Sequence, residues 1–267
     1  MVKMKKLFLC DIDGTIIDGA RNMKEVSSKT IYAMKELSKD NYVFIASGRC
    51  KGLLDEGMLT LPVNGYILCN GAYCEIGGKE IFAQYFDQNA VEKIIEATLK
   101  HNGFYILETL NHMFTNDIKS EQFIRFMQGW SQSLELFKER PCLSDKYHVA
   151  MIGFDSEEAC TLAEKDLYGI VRTLRHNGFK SYDLNINGID KGVAAKKVME
   201  YLNINKENSY CFGDGINDLE MLQAVGHPVV MENCDKALYK YNFEKTLDVM
   251  DDGFYDYLVK HNLIKPL

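Results

Sequence analysis

Residues 5–18, with the sequence KKLFLCDIDGTIID, decide the fold of this chain. A short apolar run, Leu7-Phe8-Leu9-Cys10, stops at Asp11-Ile12-Asp13-Gly14, which is the pattern of a buried strand that ends in two carboxylates and a glycine. Residues two apart on a strand point the same way, so we expect Asp11 and Asp13 to project together from the carboxyl end of the strand. Open parallel sheets bind their ligands at that edge. The stretch therefore predicts a parallel sheet with an acidic site at its edge.

Two simpler interpretations of the same stretch have to be weighed. Asp and Gly are common turn residues, so DIDG alone is also compatible with a solvated turn. A calcium loop of the EF-hand type is disfavoured, because the positions that need glycine and glutamate hold Ile16 and Asn22 when the loop is counted from Asp11.

The composition is that of an ordinary globular protein, with 267 residues, 46% hydrophobic residues and a net charge of −7. The length predicts two domains, and the negative charge without a dense Lys/Arg block argues against nucleic acid or a membrane as the main partner. Eight scattered cysteines without a CxxC pair are typical of buried thiols in a reducing compartment. No apolar stretch reaches transmembrane length, and four apolar residues before Asp11 are too few for a signal peptide. We therefore expect a cytoplasmic protein, monomeric or weakly homo-oligomeric.

The order of predicted elements indicates an insertion in an α/β fold. A helix beginning near Ser27 and the apolar runs 42–46 and 66–69 alternate as in a parallel sheet. A hairpin around Gly77-Gly78 breaks this pattern, and strands and helices of mixed order follow until the first pattern returns. We predict a doubly wound, Rossmann-like core of residues 1–83 and 183–267 with an inserted α+β domain of residues 84–182. The alternative is that the junction is only a loop and one sheet continues through it.

Three further positions carry polar groups where predicted elements meet. Ser47-Gly48 follows the second strand, Lys191 opens a helix, and the segment 213–218, GDGIND, follows a late strand. Each has an ordinary explanation when taken singly. Ser47 fits a turn or a helix cap, Lys191 fits a solvated lysine, and the acids of GDGIND fit the start of the following helix.

Taken together, the four segments resemble the motifs of the haloacid dehalogenase-like (HAD) hydrolases, in the order of that family. DIDGT is similar to the first motif, Ser47 to the second, Lys191 to the third and GDGIND to the fourth. The segments SGR at 47–49, NGA at 70–72, DKG at 190–192 and GDGINDLEML at 213–222 resemble the Cof-like phosphatase subgroup, whose members carry a type IIB cap in the position of the insertion. Cys10 departs from the pattern, since an aromatic residue is common before the nucleophile.

The resemblance implies a role for each matching residue. Asp11 would be the nucleophile that forms an aspartyl-phosphate, and Asp13 the general acid and base. Mg²⁺ would be held by Asp11, Asp13 and Asp214, with Asp218 supporting that site from behind. By the same resemblance, the phosphate-binding residues would be Ser47, Gly48, Lys191 and Asn217.

We therefore expect a Mg²⁺-dependent phosphatase that acts on a small phosphorylated metabolite, either a sugar phosphate or a nucleotide or cofactor phosphate. A phosphomutase of the same superfamily and a non-catalytic phosphometabolite-binding regulator are the alternatives. Within the insertion, six polar side chains are candidates for substrate contact, although each fits a packed or exposed side chain as well: Tyr105, His112, His148, Arg175, His176 and Tyr182.

Overall fold

The structure is a computed structural model that describes residues 4–130, 133–176 and 178–267. Its strands are β1 (Leu7–Cys10), β2 (Tyr42–Ala46), β3 (Gly65–Leu68), β4 (Tyr73–Ile76), β5 (Lys79–Ala83), β6 (Phe104–Glu108), β7 (Met113–Thr115), β8 (Phe137–Glu139), β9 (Val149–Gly153), β10 (Arg172–Arg175), β11 (Ser181–Asn185), β12 (Ser209–Gly213), β13 (His227–Val230) and β14 (Glu244–Lys245). Its α-helices are α1 (Ser28–Ser38), α2 (Glu56–Leu59), α3 (Gln88–Lys100), α4 (Glu121–Trp130), α5 (Glu157–Asp166), α6 (Lys191–Leu202), α7 (Leu219–Ala224) and α8 (Gly253–Lys260).

The chain divides into two compact units. The core unit contains residues 4–48, 54–83 and 190–267, and the inserted unit contains residues 49–53 and 84–189. In this division the chain leaves the core unit after Ala83, and the predicted domain bounds remain a prediction. The chain returns to the core unit after residue 189 instead of 182, because β11 pairs with β9 of the inserted unit along its whole length.

The core unit is built on an eight-stranded sheet in the order β14-β13-β12-β1-β2-β3-β4-β5. The strands from β14 to β3 are parallel, and the β4–β5 hairpin adds two antiparallel strands at the edge. All four residues of β1 are fully buried, since this strand lies between β12 and β2. The predicted α/β class with a parallel-sheet core is confirmed, and β1 brings the first motif to the middle of the sheet.

The inserted unit has a six-stranded sheet in the order β10-β11-β9-β6-β7-β8. All pairings are antiparallel except that of β7 with β8. Alternate residues of β6, β9 and β11, including Leu107, Ile152 and Leu184, pack with α3 and α5 in one apolar cluster. The predicted inserted α+β block therefore has its own sheet and its own apolar core. Among the described residues, no helix is long and apolar enough to cross a membrane.

Candidate active site

Asp11 continues the central strand by one residue. Its amide donates a hydrogen bond to the Phe212 carbonyl at 2.9 Å, which holds the backbone in line with β1 and β12. The residue is 6% exposed, so this carboxylate is almost fully removed from water. A buried carboxylate needs a positive partner, because burying an unpaired charge costs several kcal/mol.

Lys191 supplies that partner. Its Nζ lies 2.5 Å from Asp11 Oδ1 and 2.6 Å from Asp218 Oδ1, and the lysine itself is 1% exposed. Asp190 caps helix α6 by accepting a hydrogen bond from Val193, so Lys191 is fixed at the first helical position. The alternative of a solvated lysine is thereby excluded, and the helix start aims its charge at the carboxyl end of β1.

Asp218 is fully engaged by the protein. Its Oδ1 accepts from Lys191, and its Oδ2 accepts from the amides of Asp214 at 3.1 Å and Gly215 at 3.0 Å. The side chain therefore closes the loop after β12 and orients the lysine at the same time. These bonds support its predicted place behind the site.

Asp214 lies against the turn that follows the first strand. Thr15 Oγ1 donates to Asp214 Oδ1 at 3.2 Å, and a Cβ atom on Gly14 would come within 2.1 Å of Asp214 Oδ2. Gly14 also has a φ of +84°, which disfavours any other residue. Asn233 donates to the Gly14 carbonyl at 2.7 Å and so holds the turn from the other side. Sequence reasoning did not single out Thr15 or Asn233, although Thr15 is part of the first motif.

The electrostatics of the cluster follow from this crowding. Burial and the Asp218 charge raise the pKa of Asp11, while Lys191 opposes the shift. Burial alone would lower the pKa of Lys191, but Asp11 and Asp218 raise it, so the ammonium stays charged. Burial and Asp218 also raise the pKa of Asp214 to about 7, against the effect of the Thr15 hydrogen bond. The cluster therefore lacks positive charge.

A metal ion would fit this cluster. Asp11, Asp214 and Asp218 each offer one carboxylate oxygen, and these oxygens lie within 4.8 Å of one another. Three carboxylates beside a single ammonium are short of positive charge, and carboxylate oxygens are the ligands of hard divalent cations. Since both oxygens of Asp218 have hydrogen-bond donors, Asp11 and Asp214 are better placed to ligate. Asp13 is exposed in the turn, and its charge is close enough to Asp11 to contribute to the raised pKa of that group.

Ser47 lies at the end of β2, the strand beside β1. Its amide donates to the Ile67 carbonyl at 2.8 Å, its own carbonyl accepts from the Asn70 amide at 3.1 Å, and the residue is 2% exposed. A Cβ atom on Gly48 would approach Asn70 Oδ1 to 3.0 Å. Asn70 is a further residue of this region that was not assigned from the sequence, although its NGA segment was recognised.

The turn after Asn70 reaches the start of α6. Gly71, with a φ of +96°, would place a Cβ atom 2.2 Å from the Asp190 carbonyl oxygen. Asn217 is half-buried in the loop after β12, and its Oδ1 lies 2.3 Å from where a Cβ atom of Gly215 would be. The structure thus brings Asp11, Lys191, Asp214 and Asp218 into one cluster.

Several polar residues suggested in the insertion have partners within the inserted unit. Tyr182 packs in the apolar cluster and donates to Glu164 Oε2 at 2.9 Å. Arg175 pairs with Glu157. Tyr105 belongs to the same apolar cluster. For these residues the structure favours the packed interpretation.

The three histidines of that set differ. His148 is buried with Nδ1 at 2.8 Å from the Gln84 carbonyl, and His176 has Nε2 at 3.0 Å from Asp183 Oδ1. His112 is exposed in the loop between β6 and β7.

Comparison with known proteins agrees with the site geometry. Residues 8–258 match the family model of the haloacid dehalogenase-like hydrolases. The chain is 29% identical over 252 residues to the putative phosphatase YkrA of Bacillus subtilis, covering 93% of this chain and 94% of that protein. It is 23% identical over 258 residues to YbjI of Escherichia coli, a 5-amino-6-(5-phospho-D-ribitylamino)uracil phosphatase, covering 92% and 95% of the two chains. A solved sugar phosphatase of HAD subclass IIB shares the fold, with a TM-score of 0.82, 22% identity and coverage of 97% of this chain and 100% of that one. The chain belongs to the haloacid dehalogenase-like hydrolases, as its four motifs predict.

Proposed function

We propose that this protein hydrolyses a small phosphate monoester, a sugar phosphate or a nucleotide or cofactor phosphate, through an aspartyl-phosphate on Asp11. The observation that carries the proposal is the contact of Lys191 Nζ with both Asp11 and Asp218, at 2.5 and 2.6 Å. It holds a buried carboxylate at the end of the central strand beside a fixed positive charge, which suits an attack on a phosphoryl group. Relatives named as phosphatases support the same class of substrate.

The chemistry takes two steps. An Asp11 oxygen attacks phosphorus, the Asp11–phosphorus bond forms, and the bond to the ester oxygen breaks while Asp13 protonates that oxygen. Water then attacks the aspartyl-phosphate, Asp13 takes its proton, and the Asp11–phosphorus bond breaks to release phosphate. Asp13 suits this work because its side chain is exposed and its charge is close enough to Asp11 to act on that carboxylate.

Other residues of the proposed site would bind and orient the phosphoryl group. Lys191 would offset charge on the phosphoryl oxygens, and the backbone amide of Gly48 with the Ser47 hydroxyl would bind the same group, with Asn217 as a further contact. Mg²⁺, held by Asp11, Asp214 and the Asp13 carbonyl, would neutralise the excess negative charge and orient the phosphoryl group. Asp218 would keep Lys191 and the loop after β12 in place.

The first test replaces the nucleophile. Asp11→Asn keeps the shape of the side chain but removes the attacking charge, so we expect turnover of phosphate esters to fall by on the order of 10⁴-fold or more while the fold is retained. Released phosphate and circular dichroism are measured together, with the exposed Asp251→Asn as a matched control. A kcat near the wild-type value would remove Asp11 from this role.

The second test concerns the metal and the acceptor. We expect a chelator to abolish activity, Mg²⁺ to restore it and Ca²⁺ to inhibit it, because the longer bonds and higher coordination number of Ca²⁺ suit in-line geometry poorly. Turnover without any divalent cation would contradict the proposed site. In isotope-labelled water, hydrolysis places solvent oxygen in the released phosphate. Transfer of the phosphoryl group within the substrate without that label would identify a phosphomutase instead.

A further inference from the structure

The segment Arg49–Leu53 belongs to the inserted unit although it lies in the chain between two strands of the core sheet. It follows Ser47 and Gly48 without any intervening residue. We call this segment the tether. Its contacts show what holds it.

The loop between β6 and β7 contacts the tether at Gly52. The Gly52 amide donates to the Leu110 carbonyl at 3.0 Å, and a Cβ atom at position 52 would come within 2.5 Å of the Asn111 carbonyl oxygen. Real Cβ atoms do not approach backbone that closely, so only glycine fits without a shift. A 2.9 Å hydrogen bond from the Thr109 amide to the His112 carbonyl closes the loop between β6 and β7.

Cys50 provides a second attachment. The residue is fully buried, and its thiol hydrogen-bonds the carboxyl group of Glu108, the last residue of β6. The Leu53 amide donates to the Cys50 carbonyl at 3.0 Å and turns the tether back on itself. Burial and the nearby Asp183 charge raise the pKa of Glu108 to about 8, so this acid is neutral at pH 7 and can lie buried beside a thiol.

The backbone on the amino-terminal side of Gly48 is also held by hydrogen bonds. Ser47 is bound at both backbone atoms, since its amide donates to Ile67 and its carbonyl accepts from Asn70. Gly48 alone separates this fixed residue from the tether. Because peptide bonds are planar and leave two soft dihedral angles per residue, a displaced tether has few ways to move without moving Gly48.

We propose that Cys50 and Gly52 are positioning residues, through which the loop between β6 and β7 holds the backbone that directly follows Ser47 and Gly48. The inference rests on the proposed function, in which those two residues bind the phosphoryl group. It predicts that affinity for phosphate itself, the part common to all substrates, depends on a contact made inside the inserted unit.

The decisive variant is Gly52→Ala, with Gly19→Ala as the matched control because a Cβ atom at position 19 would meet no atom of the described residues within 4 Å. We expect Gly52→Ala to raise KM for unlike phosphate esters and Ki for inorganic phosphate by one common factor, roughly ten- to a hundredfold, with kcat little changed. Gly19→Ala should leave all these constants at the wild-type values. A loss of thermal stability in Gly52→Ala with unchanged phosphate binding would show a merely structural role and overturn the proposal.

Conservative replacements give an independent check that does not need Gly52. Cys50→Ser and Glu108→Gln keep a hydrogen bond between the two positions and should retain near wild-type Ki for phosphate. Cys50→Ala and Glu108→Leu remove it and should raise Ki as Gly52→Ala does. Equal Ki values for the two pairs of variants would contradict the proposal.

Hydrogen exchange separates failure of this inference from failure of the proposed function. In the absence of any ligand, amides of residues 47–53 should exchange faster in Gly52→Ala than in the wild type or Gly19→Ala. If the wild type neither hydrolyses esters nor binds phosphate, the proposed function is wrong, and the exchange experiment still decides the positioning. Unchanged exchange at residues 47 and 48 would overturn it.

Discussion

Two buried acids in this molecule are stabilised in different ways. Asp11 of the core unit has the Lys191 ammonium 2.5 Å away, whereas Glu108 of the inserted unit has the Cys50 thiol as its partner. No described residue forms a hydrogen bond with Glu108 Oε2. Burial raises the pKa of both groups. The negative charge of Asp11 is offset by a cation, which suits a nucleophile. The Glu108 carboxyl group is neutralised by its own proton, which suits a structural contact.

Removing the Lys191 ammonium is the strongest test of how Asp11 is stabilised. Lys191→Met leaves Asp11 and Asp218 buried without their shared partner, so we expect the free energy of unfolding at pH 7 to fall by about 3–5 kcal/mol. Activity should fall by roughly a hundredfold or more, by similar factors for unlike phosphate esters, because the charge acts on the group that all of them share. Urea unfolding and kcat/KM for three esters measure both effects.

Two further variants make the lysine experiment specific. Lys196→Met changes an exposed lysine of the same helix and should leave stability within ~0.5 kcal/mol of the wild type. Adding Asp218→Asn to Lys191→Met removes one of the two carboxylates left without a cation and should recover part of the lost free energy of unfolding. If Lys191→Met were as stable as Lys196→Met, the buried ion pairs would not contribute as described.

The pH dependence of the free energy of unfolding tests whether Glu108 is protonated in the folded protein. The folded protein holds the Glu108 proton up to a pKa of about 8, whereas the unfolded chain releases it near the ordinary value of 4.5. Between these pH values the unfolded state binds fewer protons, so the Glu108 contribution to the free energy of unfolding falls as pH rises, by up to ~1.4 kcal/mol per pH unit.

Glu108→Gln removes this titration and should flatten that part of the pH profile. We expect the variant to match the wild type near pH 4 and to be the more stable of the two at pH 8, in urea unfolding at each pH. The exposed Glu158→Gln is the control and should keep the wild-type slope. Parallel profiles for Glu108→Gln and the wild type would show that Glu108 is already ionised in the folded protein.

The smallest expected effect comes from the opposite face of the inserted sheet. Tyr182→Phe removes a 2.9 Å hydrogen bond to Glu164 and should lower the free energy of unfolding by about 0.5–1.5 kcal/mol. Because Tyr182 packs under the helices, the order of kcat/KM among substrates should not change, and Tyr168→Phe at an exposed position should alter neither quantity. A changed substrate order in Tyr182→Phe would return this residue to the substrate-binding candidates.

The candidates in the insertion show where sequence reasoning stopped. Residue type alone makes Arg175 and Tyr182 candidates for substrate contact, but β10 and β11 direct them towards Glu157 and Glu164. Glu108 was overlooked because it ends an ordinary apolar strand. The face on which a strand residue lies depends on register and on which helices cover the sheet, and neither can be read from an isolated segment.

The sequence alone determined the family, the α/β class with its inserted α+β block and the phosphate-monoester hydrolase class, and all three predictions are confirmed. It could do so because each motif is local: a buried strand ends in Asp11, and a capped helix begins at Lys191. Tertiary structure alone decided that Lys191 binds both Asp11 and Asp218, and that Arg49–Leu53 joins the inserted unit. Such contacts join residues up to 180 positions apart, and they form only when the sheet order brings strand and helix ends together.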